Sequence, residues 1–172
     1  MMMRMLEAGG VEALIDGIRT ADEDNPNGYY EFEAVKSTRD DRSWLDRAEG
    51  RAVKMVYSLV CDLPADRQYE VLLMRREMAE VMASQQAMLE RNGQKSLVAD
   101  KRMAALFANE LKRFEAWVSD QTNMRVLDVG YNELVVNSRI QIAAIGVFLD
   151  RTLDEMAMSD VIDPSLYRQR AA

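Results

Sequence analysis

Arg76 and Ser84 have side chains that can bind an anion. They follow residues 69–74 (YEVLLM), a nearly continuous apolar run typical of a buried parallel strand. Ligands of open parallel sheets lie beyond the carboxyl ends of the strands, which is where Arg76 is expected. A guanidinium can bind two phosphate oxygens at once, and a serine hydroxyl adds a neutral donor. Solvent-exposed ion pairs with Glu77 and Glu80 at the start of a helix are the alternative role for Arg76.

Lys54 stands out because it lies within residues 53–60 (VKMVYSLV), which read as a strand bounded by Gly50 and Pro64. A lysine inside an apolar segment costs free energy unless its ammonium group is paired or reaches the end of the strand. Two interpretations stay open. Lys54 serves a functional site, or it reaches solvent from an edge strand.

The composition limits the chemistry and the partners of the chain. There is no histidine and one cysteine, Cys61, which excludes histidine bases, the usual zinc or iron centres and an intramolecular disulfide. Proton transfer would use a carboxylate, a lysine or a tyrosine. The net charge of −7 argues against a nucleic-acid-binding surface, although a local cationic pocket is compatible with it. Without an apolar run of about 20 residues, or a secretory signal, we expect a soluble, cytoplasmic protein with no membrane partner.

The pattern of elements predicts an α/β fold in one domain of 172 residues. Strands are expected at 53–60, 69–74 and 125–129, and helical segments at 1–8, 31–49 with a break near 38–43, 77–91, 98–121, 132–136, 138–149 and 153–161. A turn-rich loop covers 22–30, and 163–172 is expected to be irregular. Strands separated by long helices imply a parallel sheet with helices on its faces.

Helix 1–8 should end at Gly9 and Gly10, the usual glycine stop. It is apolar nearly all round, which is typical of a buried helix. We therefore expect a strand and a loop to precede it; a frayed, methionine-rich terminus is the alternative.

Residues 72–84 (LLMRREMAEVMAS) are similar to a signature of the sulfotransferases, which transfer sulfonate from 3′-phosphoadenosine 5′-phosphosulfate to an alcohol or amine. In that family an apolar strand is followed by an arginine, seven further residues and a serine. The resemblance implies that Arg76 and Ser84 bind the 3′-phosphate of the donor. Arg75 is not in register with this pattern.

Residues 51–64 resemble the strand that carries a lysine of the same family, ahead of a Leu-Pro pair. The resemblance implies that Lys54 contacts the transferred sulfonate. Many cytosolic members place a histidine base just after this lysine, whereas this chain has Met55 and Val56. Other branches use a glutamate.

The Asn-Pro-x-Gly-aromatic-Glu stretch of bacterial members, near their acceptor site, is similar to residues 24–33. The resemblance implies that Glu31 is the base, with Glu33 as the second candidate. In a partly apolar pocket beside Tyr29 and Tyr30, a carboxylate becomes better able to take up a proton near neutral pH. A favourable position at a helix N-terminus is the other explanation for Glu31.

Residues 126–138, with Phe148 and Leu149 downstream, resemble a third family segment, a strand followed by Tyr-x-x-Leu and an asparagine. The resemblance implies that Tyr131 approaches the adenine, although a tyrosine that opens a helix is often a packing residue. Residues 163–170 look like the C-terminal segment of bacterial members, which implies that Arg168 and Arg170 close over the nucleotide. A floppy basic tail is the alternative.

The family resemblance covers nearly all of residues 1–172 and implies a three-layer α/β/α parallel sheet of the P-loop type. The implied donor is 3′-phosphoadenosine 5′-phosphosulfate, with no metal, and the implied partner is a small-molecule or glycan acceptor; a homo-oligomer is also considered. The sequence lacks the first strand and the Pro-x-Arg-Ser-Gly-Thr loop that hold the 5′-phosphosulfate in such enzymes. We therefore expect this chain to be weakly stable and catalytically poor.

Two other functions stay open. The first is a nucleotide kinase or another phosphate-loop protein, which an upstream Gly-x-x-x-x-Gly-Lys-Ser/Thr loop would indicate. The second is a non-catalytic interaction protein, in which helix 98–121 and the thirteen methionines offer an adaptable apolar surface.

Overall fold

The computed structural model describes residues 1–22, 25–91, 93 and 100–166. These residues form a mixed α/β structure with a two-stranded parallel sheet. In chain order the elements are α1 (Met2–Ala8), α2 (Leu45–Ala48), α3 (Tyr57–Val60), β1 (Tyr69–Arg75), α4 (Met78–Arg91), α5 (Asp100–Ser119), β2 (Met124–Gly130), α6 (Tyr131–Val136), α7 (Ser138–Phe148) and α8 (Glu155–Asp160), with 3₁₀ helices at Glu33–Ser37 and Pro164–Leu166.

The two strands lie side by side and run in the same direction. Tyr69 pairs with Met124 at one end of the ladder and Arg75 with Gly130 at the other. The strands predicted at 69–74 and 125–129, and their parallel direction, are therefore confirmed. A parallel pair needs a long crossover, and α4 and α5 lie between the strands in the chain.

The strand predicted at 53–60 is wrong. Just before this segment, Ala52 forms an isolated parallel bridge to Ala13. Residues 57–60 then form helix α3. A short apolar run cannot distinguish a strand from one turn of a buried helix by periodicity alone. The helix brings Tyr57 to 5.9 Å from the ring of Phe114 and buries Val60 against the same helix, α5. Packing against α5 decides the local structure.

Apolar side chains pack on both faces of β1. On one face, Leu72, Met74 and Val129 pack in a cluster with α1, α7 and α8, in which Met5, Ile142, Ile145 and Met158 are at most 1% exposed. On the other face, Val71 and Leu73 pack in a cluster with Phe114 and Val118 of α5. Burial of both faces explains why β1 reads as a continuous apolar run rather than an alternating one.

Helix α1 ends at Gly9, as predicted. It packs against α8. A Cβ atom on Gly9 would lie only 2.8 Å from Cγ of Met158, so this close approach of the two helices requires glycine. Met2, Met5 and Leu6 are buried there. The contact fixes the first turn of α1, which carries Arg4.

Helix α5 is the longest of the described helices and carries many charged residues. Within the ranges given above, no helix is both long enough and apolar enough to cross a membrane.

Candidate functional site

A cleft with a volume of about 280 Å³ opens beyond the carboxyl ends of β1 and β2. Arg76 directly follows β1 and Tyr131 directly follows β2. Because Arg75 and Gly130 are partners in the ladder, these two residues leave the sheet side by side. The guanidinium carbon of Arg76 lies 4.8 Å from the centre of the Tyr131 ring. The topology alone therefore brings together two residues that are far apart in the chain.

Helix α4 supplies one wall of the cleft. Ser84, Ala87 and Arg91 lie on one face of this helix, and all three line the cleft. Other parts of the chain complete the lining, namely Met1, Arg4, Asn25, Pro26, Asn27, Gly28, Tyr30, Val161 and Asp163. Three of the residues predicted to bind the donor nucleotide, Arg76, Ser84 and Tyr131, thus share one cleft.

The charge of the lining is locally positive. Arg4, Arg76 and Arg91 line the cleft, against one carboxylate, Asp163, among the described lining residues. Hydrogen bonds from Ser165 lower the pKa of Asp163, and the charge of Arg4 adds a smaller effect in the same direction. Three guanidinium groups around one space favour an anionic ligand, although the chain as a whole is acidic.

Glu80 lies beneath Arg76 and is 1% exposed. Nε of Arg76 donates to Oε2 of Glu80 at 3.0 Å, and Nδ2 of Asn132 donates to Oε1 at 3.3 Å. Burial raises the pKa of the Tyr131 hydroxyl, and the positive charge of Arg76 opposes that rise. The predicted ion pair between Arg76 and Glu80 exists, but it is largely buried rather than exposed to solvent.

Lys54 and Glu31 also come together, in a group beside the cleft-lining loop. Nζ of Lys54 donates to the carbonyl oxygen of Tyr29 at 2.9 Å and lies 3.5 Å from Oε1 of Glu31. The same carboxylate oxygen lies 3.4 Å from Nη1 of Arg19, whose guanidinium carbon is 3.3 Å from the centre of the Tyr29 ring. The pairing of Lys54 is thus explained, and its segment is extended chain rather than a strand.

The surroundings of Glu31 differ from the partly apolar pocket expected from its tyrosine neighbours. Two cations, Arg19 and Lys54, flank the carboxylate, which is 31% exposed. Neither Glu31 nor Lys54 lines the cleft. Burial lowers the pKa of the Met1 amino group, and the charges of Arg4 and Lys54 add smaller effects in the same direction.

The remaining candidates divide into two groups. Glu33, the second candidate base, opens a 3₁₀ helix and forms an exposed ion pair with Lys36, 2.7 Å away, so it does not join Glu31. Arg168 and Arg170 lie outside the described residues.

Two arginines of the cleft, Arg4 and Arg91, were missed by sequence reasoning. Arg4 had one available signal, because it is a lone charge in an otherwise apolar helix end. Arg91 had another, because it stands seven residues after Ser84 and so on the same helix face. Tyr30 also lines the cleft and donates to Oε2 of Glu7 at 2.7 Å from a backbone with φ of 52°. A positive φ is unusual for a tyrosine and gives the loop a fixed, locally strained shape.

Comparison of the chain with protein-family models, with curated proteins and with solved structures finds no match. What the cleft binds must therefore be inferred from its own residues.

Proposed function

We propose that this chain is a sulfotransferase-family protein that binds 3′-phosphoadenosine 5′-phosphosulfate and transfers its sulfonate to a hydroxyl or amine acceptor. One observation supports this above the others. Arg76, Ser84 and Tyr131 come from three separate elements and line one cleft at the carboxyl ends of the parallel strands. These are the residues that the resemblance to sulfotransferases assigns to the nucleotide, and this end of a parallel sheet is where such ligands bind.

The lining suits the nucleotide end of the donor. A 3′-phosphate is a dianion that the fork of Arg76 can bind through two oxygens, with the hydroxyl of Ser84 as a further donor. Arg4 and Arg91 add positive charge to the same space. A volume of about 280 Å³ lies at the small end of ligand pockets, so the cleft suits the nucleotide alone rather than donor and acceptor together.

The group around Lys54 suits the transfer step. Lys54 would neutralise charge on the sulfonate while the acceptor oxygen or nitrogen attacks sulfur and the bond from sulfur to the 5′-phosphate oxygen breaks. Glu31, which lies within 3.5 Å of both Arg19 and Lys54, would take the proton from the acceptor. The electron pair of the broken bond stays on the phosphate, which leaves as adenosine 3′,5′-bisphosphate.

The proposed fold is the three-layer α/β/α sheet of the P-loop type. Helices pack on both faces of the sheet, and among the described strands β1 pairs with β2 alone, so an edge of β1 is available to a further strand. The printed sequence contains no Pro-x-Arg-Ser-Gly-Thr loop for the 5′-phosphosulfate. A form extended at the N-terminus by such a strand and loop is expected to bind the bisphosphate more tightly, and equal affinity would contradict this part of the proposal.

Calorimetric titration with adenosine 3′,5′-bisphosphate and with 5′-AMP tests the proposed site. The bisphosphate should bind at least about tenfold more tightly, because only it places a charged 3′-phosphate on Arg76 and Ser84. Ser84→Ala should weaken the bisphosphate roughly tenfold and leave 5′-AMP nearly unchanged. Ser119→Ala on the exposed end of α5 is the matched control.

Equal binding of the two nucleotides would contradict the proposed function. A preference for ATP over the bisphosphate would instead favour the nucleotide-kinase alternative.

A further inference from the structure

Glu80 is the one charged side chain that is buried in the part of the chain that the structure describes. Moving a carboxylate from water into a protein interior costs several kcal/mol, which ion pairing and hydrogen bonds must offset. Its position is unfavourable in a second way, because it places a negative charge directly beneath a cleft whose arginines favour anions. Because both its burial and its position next to this cleft cost free energy, Glu80 is a candidate for a specific role in the cleft.

The contacts of Glu80 join the two segments that carry the predicted nucleotide ligands. Oε2 accepts from Nε of Arg76, at the end of β1, and Oε1 accepts from Nδ2 of Asn132, next to Tyr131 at the start of α6. The carboxylate of Glu80 thus contacts both segments. Glu80 itself lies in the first turn of α4, the helix that also carries Ser84.

A guanidinium is planar, so a fixed direction at Nε determines the directions of its two Nη groups. The ring of Tyr131, 4.8 Å from Cζ, limits rotation of the group on one side. An arginine held in this way loses less conformational freedom when it binds a phosphate through two oxygens. A guanidinium that rotates freely would act as a mobile charge with little preference for the 3′ position.

From this geometry we infer that Glu80 is a positioning residue, which gives the cleft its preference for 3′-phosphorylated nucleotides by holding Arg76 in one plane. The inference rests on the proposed function. It adds a specificity-determining residue that makes no contact with the nucleotide itself, and it explains why a buried carboxylate lies at an anion-binding cleft.

The test is the ratio of the dissociation constants of 5′-AMP and adenosine 3′,5′-bisphosphate, measured by calorimetry for the wild type and for variants. Glu80→Ala should lower this ratio about five- to tenfold through weaker binding of the bisphosphate. Glu80→Gln should keep it within about twofold, because the amide oxygen can accept from Arg76 and the amide nitrogen can donate to Asn132. Oδ1 of Asn132 is buried without a hydrogen-bond partner among the described residues, so it can accept that donor once the amide turns.

Three further variants keep the test decisive. Glu80→Asp keeps the charge but is one methylene shorter, so it should lower the ratio as Glu80→Ala does, and it serves if the alanine variant does not fold. Glu77→Ala removes an exposed carboxylate three residues earlier and should leave the ratio unchanged. In an Arg76→Lys background, Glu80→Ala should have no additional effect on the ratio, since no planar group remains to be held.

Each outcome has a distinct meaning. If Glu80→Ala weakens both nucleotides equally, Glu80 has only a structural role and the inference is wrong, while the proposed function stands. A glutamine variant that loses the ratio as the alanine variant does would also overturn it, because charge rather than orientation would then be decisive. If the wild type does not distinguish the two nucleotides, the proposed function fails and the inference fails with it.

Discussion

Two groups of residues around the predicted site are held in different ways. The first, which we call the nucleotide wall, consists of Arg76, Glu80, Ser84 and Tyr131. Its members stand on or directly after regular elements, β1, α4 and β2, and a carboxylate that is 1% exposed links two of those elements. Side chains in such a setting have little freedom to move, because the sheet and its packed helices determine the direction of each one.

The second group, the Lys54 cluster, consists of Arg19, Tyr29, Glu31 and Lys54. These residues lie on irregular segments outside the described helices and strands, which are joined near Lys54 by the isolated bridge between Ala13 and Ala52. Its ion pairs are long, at 3.4 and 3.5 Å, and the side chains are partly exposed. Ion pairs of this kind contribute little to stability.

This difference in how the residues are held fits a binding role for the nucleotide wall and a reaction role for the Lys54 cluster. A site for a nucleotide gains from rigidity, since every group already in place lowers the entropy lost on binding. A site where an acceptor must enter and a proton must move can use groups that exchange partners easily. We expect substitutions in the nucleotide wall to affect folding and binding together, and substitutions in the Lys54 cluster to leave folding nearly intact.

The largest effect is expected from Arg76→Ala. It leaves the buried carboxylate of Glu80 without its guanidinium, and breaking a buried pair in this way lowers the free energy of unfolding by about 3–5 kcal/mol. Urea denaturation followed by circular dichroism measures the change. Arg113→Ala, which removes an arginine paired with Glu110 at an exposed site on α5, should cost less than about 0.5 kcal/mol. Equal effects for the two variants would mean that the nucleotide wall is not a buried structural unit.

An intermediate effect is expected from Ala52→Pro. Proline removes the backbone donor that bonds to the carbonyl oxygen of Glu12 at 2.8 Å, so the free energy of unfolding should fall by about 1–3 kcal/mol. Because the bridge lies outside the cleft lining, affinity for adenosine 3′,5′-bisphosphate should stay within about threefold. Ala52→Ser keeps the donor and is the control. Loss of nucleotide affinity in the proline variant alone would show that the two groups are coupled.

The smallest effect on stability is expected from Lys54→Met. The ammonium group is partly exposed and its closest bond is to one carbonyl oxygen, so the free energy of unfolding should change by less than about 1 kcal/mol. Lys36→Met, which removes a lysine paired with Glu33 at the surface, should change it similarly. Thermal unfolding of both variants provides the measurement. A much larger loss for Lys54→Met would place this residue in the folded core and end the distinction between the two groups.

Much of the nucleotide wall was predictable because its geometry depends on short-range spacing. An apolar strand followed by an arginine, and a serine eight residues later on the following helix, places both residues at one end of the sheet wherever the sheet packs. Tyr131, which directly follows the second strand, was predicted from the family resemblance. Of the Lys54 cluster, Lys54 and Glu31 were predicted as site residues and Arg19 was not, because no local pattern specifies which irregular segments meet.

The sequence by itself determined helix α1 and its glycine stop, strands β1 and β2 with their parallel direction, and the positions of Arg76, Ser84 and Tyr131. Each of these depends on periodicity, on a turn residue, or on a spacing within one strand-to-helix unit.

Only the tertiary structure decided that residues 57–60 form α3, that Arg4 and Arg91 join the cleft, and that Glu80 is buried beneath Arg76. The physical reason is the same in each case. Burial and ion pairing depend on contacts between residues that are far apart in the chain. These contacts contribute free energy only once the helices have packed onto the sheet.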